Sequence, residues 1–102
     1  MRPMSEIPDI ALFMDQVRVD PRIGPLHISL YLAIFYCWCL QGGNDVVEFT
    51  GKELMPIAKI AGGTAFYRCI KQLHEYGYIR YEPSFNPAVK SRAVLVSCIA
   101  QK

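Results

Sequence analysis

Ile10, Phe13, Met14 and Val17 recur three and four positions apart, a spacing that puts their side chains on one face of an α-helix. Pro8 and Asp9 stand where such a helix would start. The segment DPRIGP at 20–25, with two prolines and a glycine, breaks it. Residues 26–41, LHISLYLAIFYCWCLQ, are apolar nearly all round. That length predicts a second helix rather than a strand, with Gly42 as its C-terminal cap. A helix without a polar face must be covered on most sides, so the 8–19 segment or a second copy of the chain is called on for cover.

Residues 46–49, VVEF, form a short β-prone run. Thr50 and Glu53 then have the spacing of a capping box, each side chain able to satisfy a backbone N–H at a helix start. The helix that follows is expected over about 51–61. Pro56 falls inside it, where it removes one hydrogen bond and crowds the preceding turn. Either the helix kinks there or its regular part begins near Pro56.

Ala61, Gly62 and Gly63 read as a turn, with Thr64 as the cap of the next helix. On that helix Phe66, Cys69, Ile70, Leu73 and Gly77 fall within one arc. Thr64, Tyr67, Arg68, Lys71 and Glu75 take the opposite one. Residues 78–82 alternate as a strand, 83–87 turn, 88–92 form a basic loop, and 93–99 return as a second strand. Tyr76, Tyr78, Tyr81 and Phe85 are assigned to core and hairpin packing.

A chain of 102 residues, 52% apolar and 20% charged, is long enough for one domain with one core. Its apolar share hints at a partner surface as well. No uninterrupted apolar run reaches membrane-spanning length, and MRPMSEIPDI lacks the apolar core of a signal peptide. The expected location is cytoplasmic, with no membrane and no small-molecule partner. Cys37, Cys39, Cys69 and Cys98 make no C-x-x-C pair and are expected to be buried free thiols. His27 and His74 have no nucleophile or acid at an interpretable spacing, and Gly62-Gly63 does not follow a strand. No catalytic residue, metal ligand or cofactor is assigned, and an enzyme is not expected.

The net charge of +2 divides unevenly along the chain. Residues 1–51 carry three arginines against six acids, whereas residues 52–92 carry seven bases against three acids. The basic half holds the two short helices and the hairpin, which suits a phosphate backbone. Arg68 can pair with a guanine edge through two parallel hydrogen bonds. Thr64 and Lys71 suit phosphates, and Tyr67 a phosphate or a thymine methyl. Lys90, Ser91 and Arg92 would meet phosphate or the minor groove.

Across residues 49–79 a helix, a Gly-Gly turn, an amphipathic helix and a Gly-aromatic-Ile exit follow one another. The run FYRCIKQLHEYGYI at 66–79 resembles the winged-helix family of bacterial regulators. Their helix-turn-helix ends in leucine, two residues, an aromatic or leucine, Gly, an apolar residue and Ile. Gly77 is expected to take the left-handed conformation at the helix end. The chain is also similar to small winged-helix proteins of bacterial mobile elements. Those share a Tyr, His or Tyr, Lys or Arg, Cys pattern in the recognition helix and a GYIxYEPSxNP exit into the wing, the exit met here by residues 77–87. The resemblance spans about 26–98 and is specific over 50–82. Pro56 and the modestly basic tip AVKSR depart from it.

The resemblance implies an α+β, mainly helical fold: a winged helix-turn-helix with a three-helix core, a β-hairpin wing and an extra N-terminal helix. The whole chain, 1–102, would be one domain, with an N-terminal extension at 1–25, the helical core at 26–82 and the wing at 78–99. It further implies sequence-specific binding of double-stranded DNA by a transcriptional regulator, and the excess apolar surface around Leu30 to Leu40 and the N-terminal helix adds the expectation of a homodimer through those helices. Two alternatives stay open: a winged helix used for protein–protein contact, or a DNA-binding subunit of a replication or conjugation assembly.

Overall fold

In the computed structural model, which describes residues 9–96, four α-helices pack with a three-stranded antiparallel sheet in an α+β arrangement. Helix α1 (Ile10–Val17) starts at Asp9, whose Oδ1 accepts the Leu12 N–H at 3.0 Å. Helix α2 (Pro25–Leu40) begins with proline, where a missing N–H costs nothing. Strand β1 (Val47–Phe49) leads into helix α3 (Gly51–Ala58). Helix α4 (Gly63–Glu75), strand β2 (Ile79–Glu82) and strand β3 (Ser91–Leu95) complete the order.

Three helices end in the same way. At each end a residue with positive φ turns the chain, and two backbone N–H groups reach back to the last carbonyls. Gly42 (φ 87) closes α2, with Gly43 N–H on the Trp38 carbonyl at 2.9 Å. Gly77 (φ 88) closes α4, with Tyr78 N–H on the Leu73 carbonyl at 2.9 Å, as the sequence leads one to expect. Lys59 (φ 62) closes α3, with Ile60 N–H on the Met55 carbonyl at 3.1 Å. This left-handed lysine stops the helix at Ala58, short of the expected boundary at 61, and Ile60 is buried as the chain turns inward.

Pro56 does not break α3, which is helical on both sides of it. The proline is exposed, and so is Lys52, the residue whose carbonyl loses its helical partner. The capping box forms: Thr50 Oγ1 accepts the Glu53 N–H and Glu53 Oε1 accepts the Thr50 N–H, both at 3.1 Å. Thr64, by contrast, is not a cap. The extended residue is Gly62, whose carbonyl takes the first helical bond from Phe66 N–H at 3.0 Å, so Thr64 lies inside the first turn.

The sheet order is β1-β3-β2, so the 46–49 run adds a third strand to the expected hairpin. β3 pairs with β1 through Val47↔Ala93 and Phe49↔Ser91, and with β2 through Ile79↔Leu95 and Tyr81↔Ala93. Ser91 and Arg92 therefore belong to a strand, not to the basic loop expected over 88–92. The later part of the strand expected to reach 99, and Cys98 with it, lies outside the described residues. Gln41 guards the β1 edge: its side-chain amide bonds both the N–H and the carbonyl of Glu48, at 3.0 and 2.7 Å.

The core gathers side chains from every element. Phe13 stacks on Tyr31 with ring centroids 3.7 Å apart, and Tyr78 meets Phe13 edge-on at 5.6 Å. Leu30, Ile34, Leu54, Phe66, Ile70, Leu73 and Ile79 are fully buried, each contributing about 1.5–3 kcal/mol by leaving water. Cys37 and Cys69 are buried, and burial raises both thiol pKa values. Cys39 is exposed, contrary to expectation, because it points away from the buried side of α2. That helix is not covered all round: Leu32, Tyr36 and Leu40, spaced four apart, are 41%, 50% and 67% exposed.

Candidate nucleic-acid interface

Helix α4 divides cleanly. Phe66, Cys69, Ile70 and Leu73 are buried, while Thr64, Tyr67, Arg68, Lys71 and Glu75 are exposed. Burial of the first set fixes the direction in which the second set points. Among the described residues neither Arg68 nor Lys71 has an acidic partner within ion-pair distance. Glu75 stands one turn beyond Lys71 and marks where the basic stretch ends.

Tyr67 is placed by its neighbours. Its ring meets the edge of Phe66 at 4.8 Å and its hydroxyl reaches the first residue of α3, Gly51. A Cβ at position 51 would collide with that hydroxyl, so glycine is what lets the tyrosine lie there. Tyr67 and Lys71 form one wall of a cleft of about 530 Å³ between α4 and the β2–β3 hairpin. Tyr81, Pro83, Phe85 and Ser91 form the other.

Of the three hairpin candidates, Lys90 and Arg92 are not brought together with the α4 set. Ser91 shares the cleft, but it is half-buried and its Oγ accepts the Ser84 N–H at 3.1 Å. Lys90 is held by the α3 cap, its Nζ 3.2 Å from Glu53 Oε2. Hydrogen bonding from the Thr50 N–H, and then from Lys90, keeps the Glu53 carboxyl below its ordinary pKa. Arg92 faces the other way. Its strand neighbour Ala93 is buried, so Arg92 lies on the outer face of the sheet, 3.3 Å from its register partner Glu82.

Both histidines serve the fold. His27 is buried; its Nδ1 accepts the Gly24 N–H at 2.9 Å and its Nε2 meets Gln72 Oε1 at 2.7 Å. Accepting at Nδ1 leaves the proton on Nε2, so the ring donates to α4 and joins it to the start of α2. His74 Nδ1 accepts the Tyr81 N–H at 3.1 Å. Among the described residues no three His, Cys, Asp or Glu side chains gather as a metal site, and no helix is long and apolar enough to cross a membrane.

Pattern reading missed Phe85. Expected to pack in the hairpin, it is 93% exposed at the hairpin tip. Its setting in a Pro83–Pro87 turn, flanked directly by the polar Ser84 and Asn86, was the available signal. Tyr78 is buried and Tyr76 and Tyr81 are half-buried, in keeping with a packing role.

No family model, curated protein or solved structure matches the chain. What the interface offers rests on its own residues: an exposed basic helix face, a cleft beside it, and an apolar hairpin tip.

Proposed function

We propose that this chain is a winged-helix protein that binds double-stranded DNA in a sequence-specific way as a transcriptional regulator, with α4 in the major groove. The observation that carries the reading is the pair Arg68 and Lys71, exposed and, among the described residues, without acidic partners on a helix whose opposite face is buried. A firmly packed helix loses little freedom when its polar face meets base edges, and Arg68 has the planar fork that a guanine edge takes. Thr64, near the helix start, and Tyr67 extend the same face. Lys90 and Arg92 would have to leave Glu53 and Glu82 to reach phosphates, so the reading places most of the affinity on α4.

The proposal includes a homodimer. The Leu32, Tyr36 and Leu40 stripe on α2 supports it, as an apolar stripe at helical spacing suits self-association about a two-fold axis. Two copies would double a modest charge over two half-sites. Selection of bound duplexes from a randomised library tests both parts. A palindromic product supports them; failure to enrich any sequence contradicts sequence-specific binding.

A second reading, a winged helix used for protein contact within a replication or conjugation assembly, is favoured by one observation. Of the hairpin cations, Lys90 and Arg92 are paired with acids and Arg80 lies on the outer face with Arg92, so they do not share one surface with Arg68 and Lys71.

A further inference from the structure

The β2–β3 hairpin ends in an apolar tip. Phe85 and Val89 are 93% and 56% exposed, and Pro83, Pro87 and Ala88 beside them are also on the surface. The tip is internally braced. Ser84 Oγ donates to the Asn86 carbonyl at 3.1 Å and accepts the Asn86 N–H at 3.2 Å. Asn86 Oδ1 accepts the Ala88 N–H at 2.9 Å, and the Asn86 carbonyl accepts the Val89 N–H at 2.9 Å. Pro83 and Pro87 fix the backbone on either side. Phe85 is thus held out into solvent in a defined position, an unfavourable placement for a large apolar ring unless something receives it.

Two relationships indicate what receives it. Phe85 lines the same cleft as Tyr67 and Lys71, so the ring stands beside the helix face proposed to enter the major groove. The cations that follow the tip in sequence are engaged, Lys90 with Glu53 and Arg92 with Glu82. A hairpin that gripped phosphate by charge would present them free; this one presents a flat apolar ring next to the exposed cations of α4. Charge on the helix and an uncharged aromatic on the tip complement a duplex, whose phosphates flank a stack of flat bases.

We propose that Phe85 is a wedge. With α4 in the major groove, the tip enters the neighbouring minor groove, and Phe85 inserts between two base pairs, partly unstacks them and kinks the duplex. Pyrimidine–purine steps, which open most easily, are the expected place. The inference rests on the DNA-binding reading above and adds a residue and a deformation to it.

The test combines anisotropy with energy transfer between the labelled ends of a duplex of about 30 base pairs taken from the selection. Wild type should bend it by about 20–90°. Phe85→Ala should bind about tenfold more weakly and leave the duplex straight, with an unchanged salt dependence because no charge is removed. Phe85→Leu, still apolar, should retain most of the bend. Melting temperatures of both variants should match wild type, since the ring is 93% exposed. If Phe85→Ala binds and bends as wild type does while Arg68→Ala weakens binding, the wedge is overturned and the DNA reading stands. A straight wild-type complex also overturns the wedge. Absence of any wild-type binding overturns both.

Discussion

The Tyr78 hydroxyl donates a hydrogen bond to Asp20 Oδ2 at 2.7 Å, linking residues 58 positions apart in sequence. Arg22 grips the same carboxylate through Nε and Nη2, at 2.9 and 2.8 Å, and its guanidinium lies 4.2 Å from the Tyr76 ring centre. This cluster fastens the α1–α2 loop to the exit of α4, and so couples the N-terminal extension to the helix proposed to meet DNA. Bonding to Arg22, and then to Tyr78, holds the Asp20 carboxyl well below its ordinary pKa. Burial, with the bond to Asp20 adding to it, pushes Tyr78 up to about 12.

Opposite pH limits follow from these shifts. Asp20 is depressed, so its contribution is present above the ordinary carboxylate value of about 3.9 and fades as pH falls below it. Tyr78 is raised, so its contribution is present below the ordinary phenol value of about 10 and is lost as pH climbs from there to about 12. Thermal melts across pH should show both declines. Asp20→Asn should flatten the acid limb and Tyr78→Phe the alkaline one, each with a lower melting temperature at neutral pH. Identical pH profiles in all three proteins would contradict the linkage.

Gly51 and Tyr67 form a second long-range pair. Gly51→Ala forces the Tyr67 hydroxyl to move, but that hydroxyl ends a flexible side chain, and alanine favours the helix. Global stability should change by less than about 1 kcal/mol, while the Tyr67 ring resonances in an NMR spectrum shift. In a Tyr67→Phe background, where the colliding oxygen is gone, Gly51→Ala should be more favourable still. Additive effects of the two substitutions would show that the contact is not made.

Much of this architecture was legible in local pattern. The 3.6-residue period separated the buried Phe66, Ile70 and Leu73 from the exposed Arg68 and Lys71. Thr50 with Glu53, and Gly42 and Gly77, marked helix ends through chemistry confined to a few neighbouring residues. What escaped depends on contacts distant in sequence. β1 joins the sheet only because β3 returns beside it, and Lys90 is drawn to Glu53 from 37 residues away. Lys59 escaped for another reason: a lysine in the left-handed region replaces the glycine that would have signalled the end of α3. The exposure of Phe85 and Cys39 depends on which faces the tertiary packing leaves open, and composition does not report that.

The α2 stripe supports an association that can be separated from folding. Tyr36→Asp places a charge amid Leu32 and Leu40 without touching the core, so stability of the single subunit should change by less than about 0.5 kcal/mol. Sedimentation equilibrium should find wild type dimeric and Tyr36→Asp monomeric. A monomeric wild type across the accessible concentration range would remove the dimer from the proposal.

The most direct measurement of the central claim is fluorescence anisotropy of a selected, labelled duplex across a salt series, with wild type, Arg68→Ala and Arg92→Ala. Wild-type affinity should fall linearly in log–log terms as phosphate contacts are screened. Arg68→Ala should cost about 1–3 kcal/mol and relax base preference, while Arg92→Ala, on the far face of the sheet, should change affinity by less than about 0.5 kcal/mol. No binding at low salt, or equal binding by wild type and Arg68→Ala, would contradict the account.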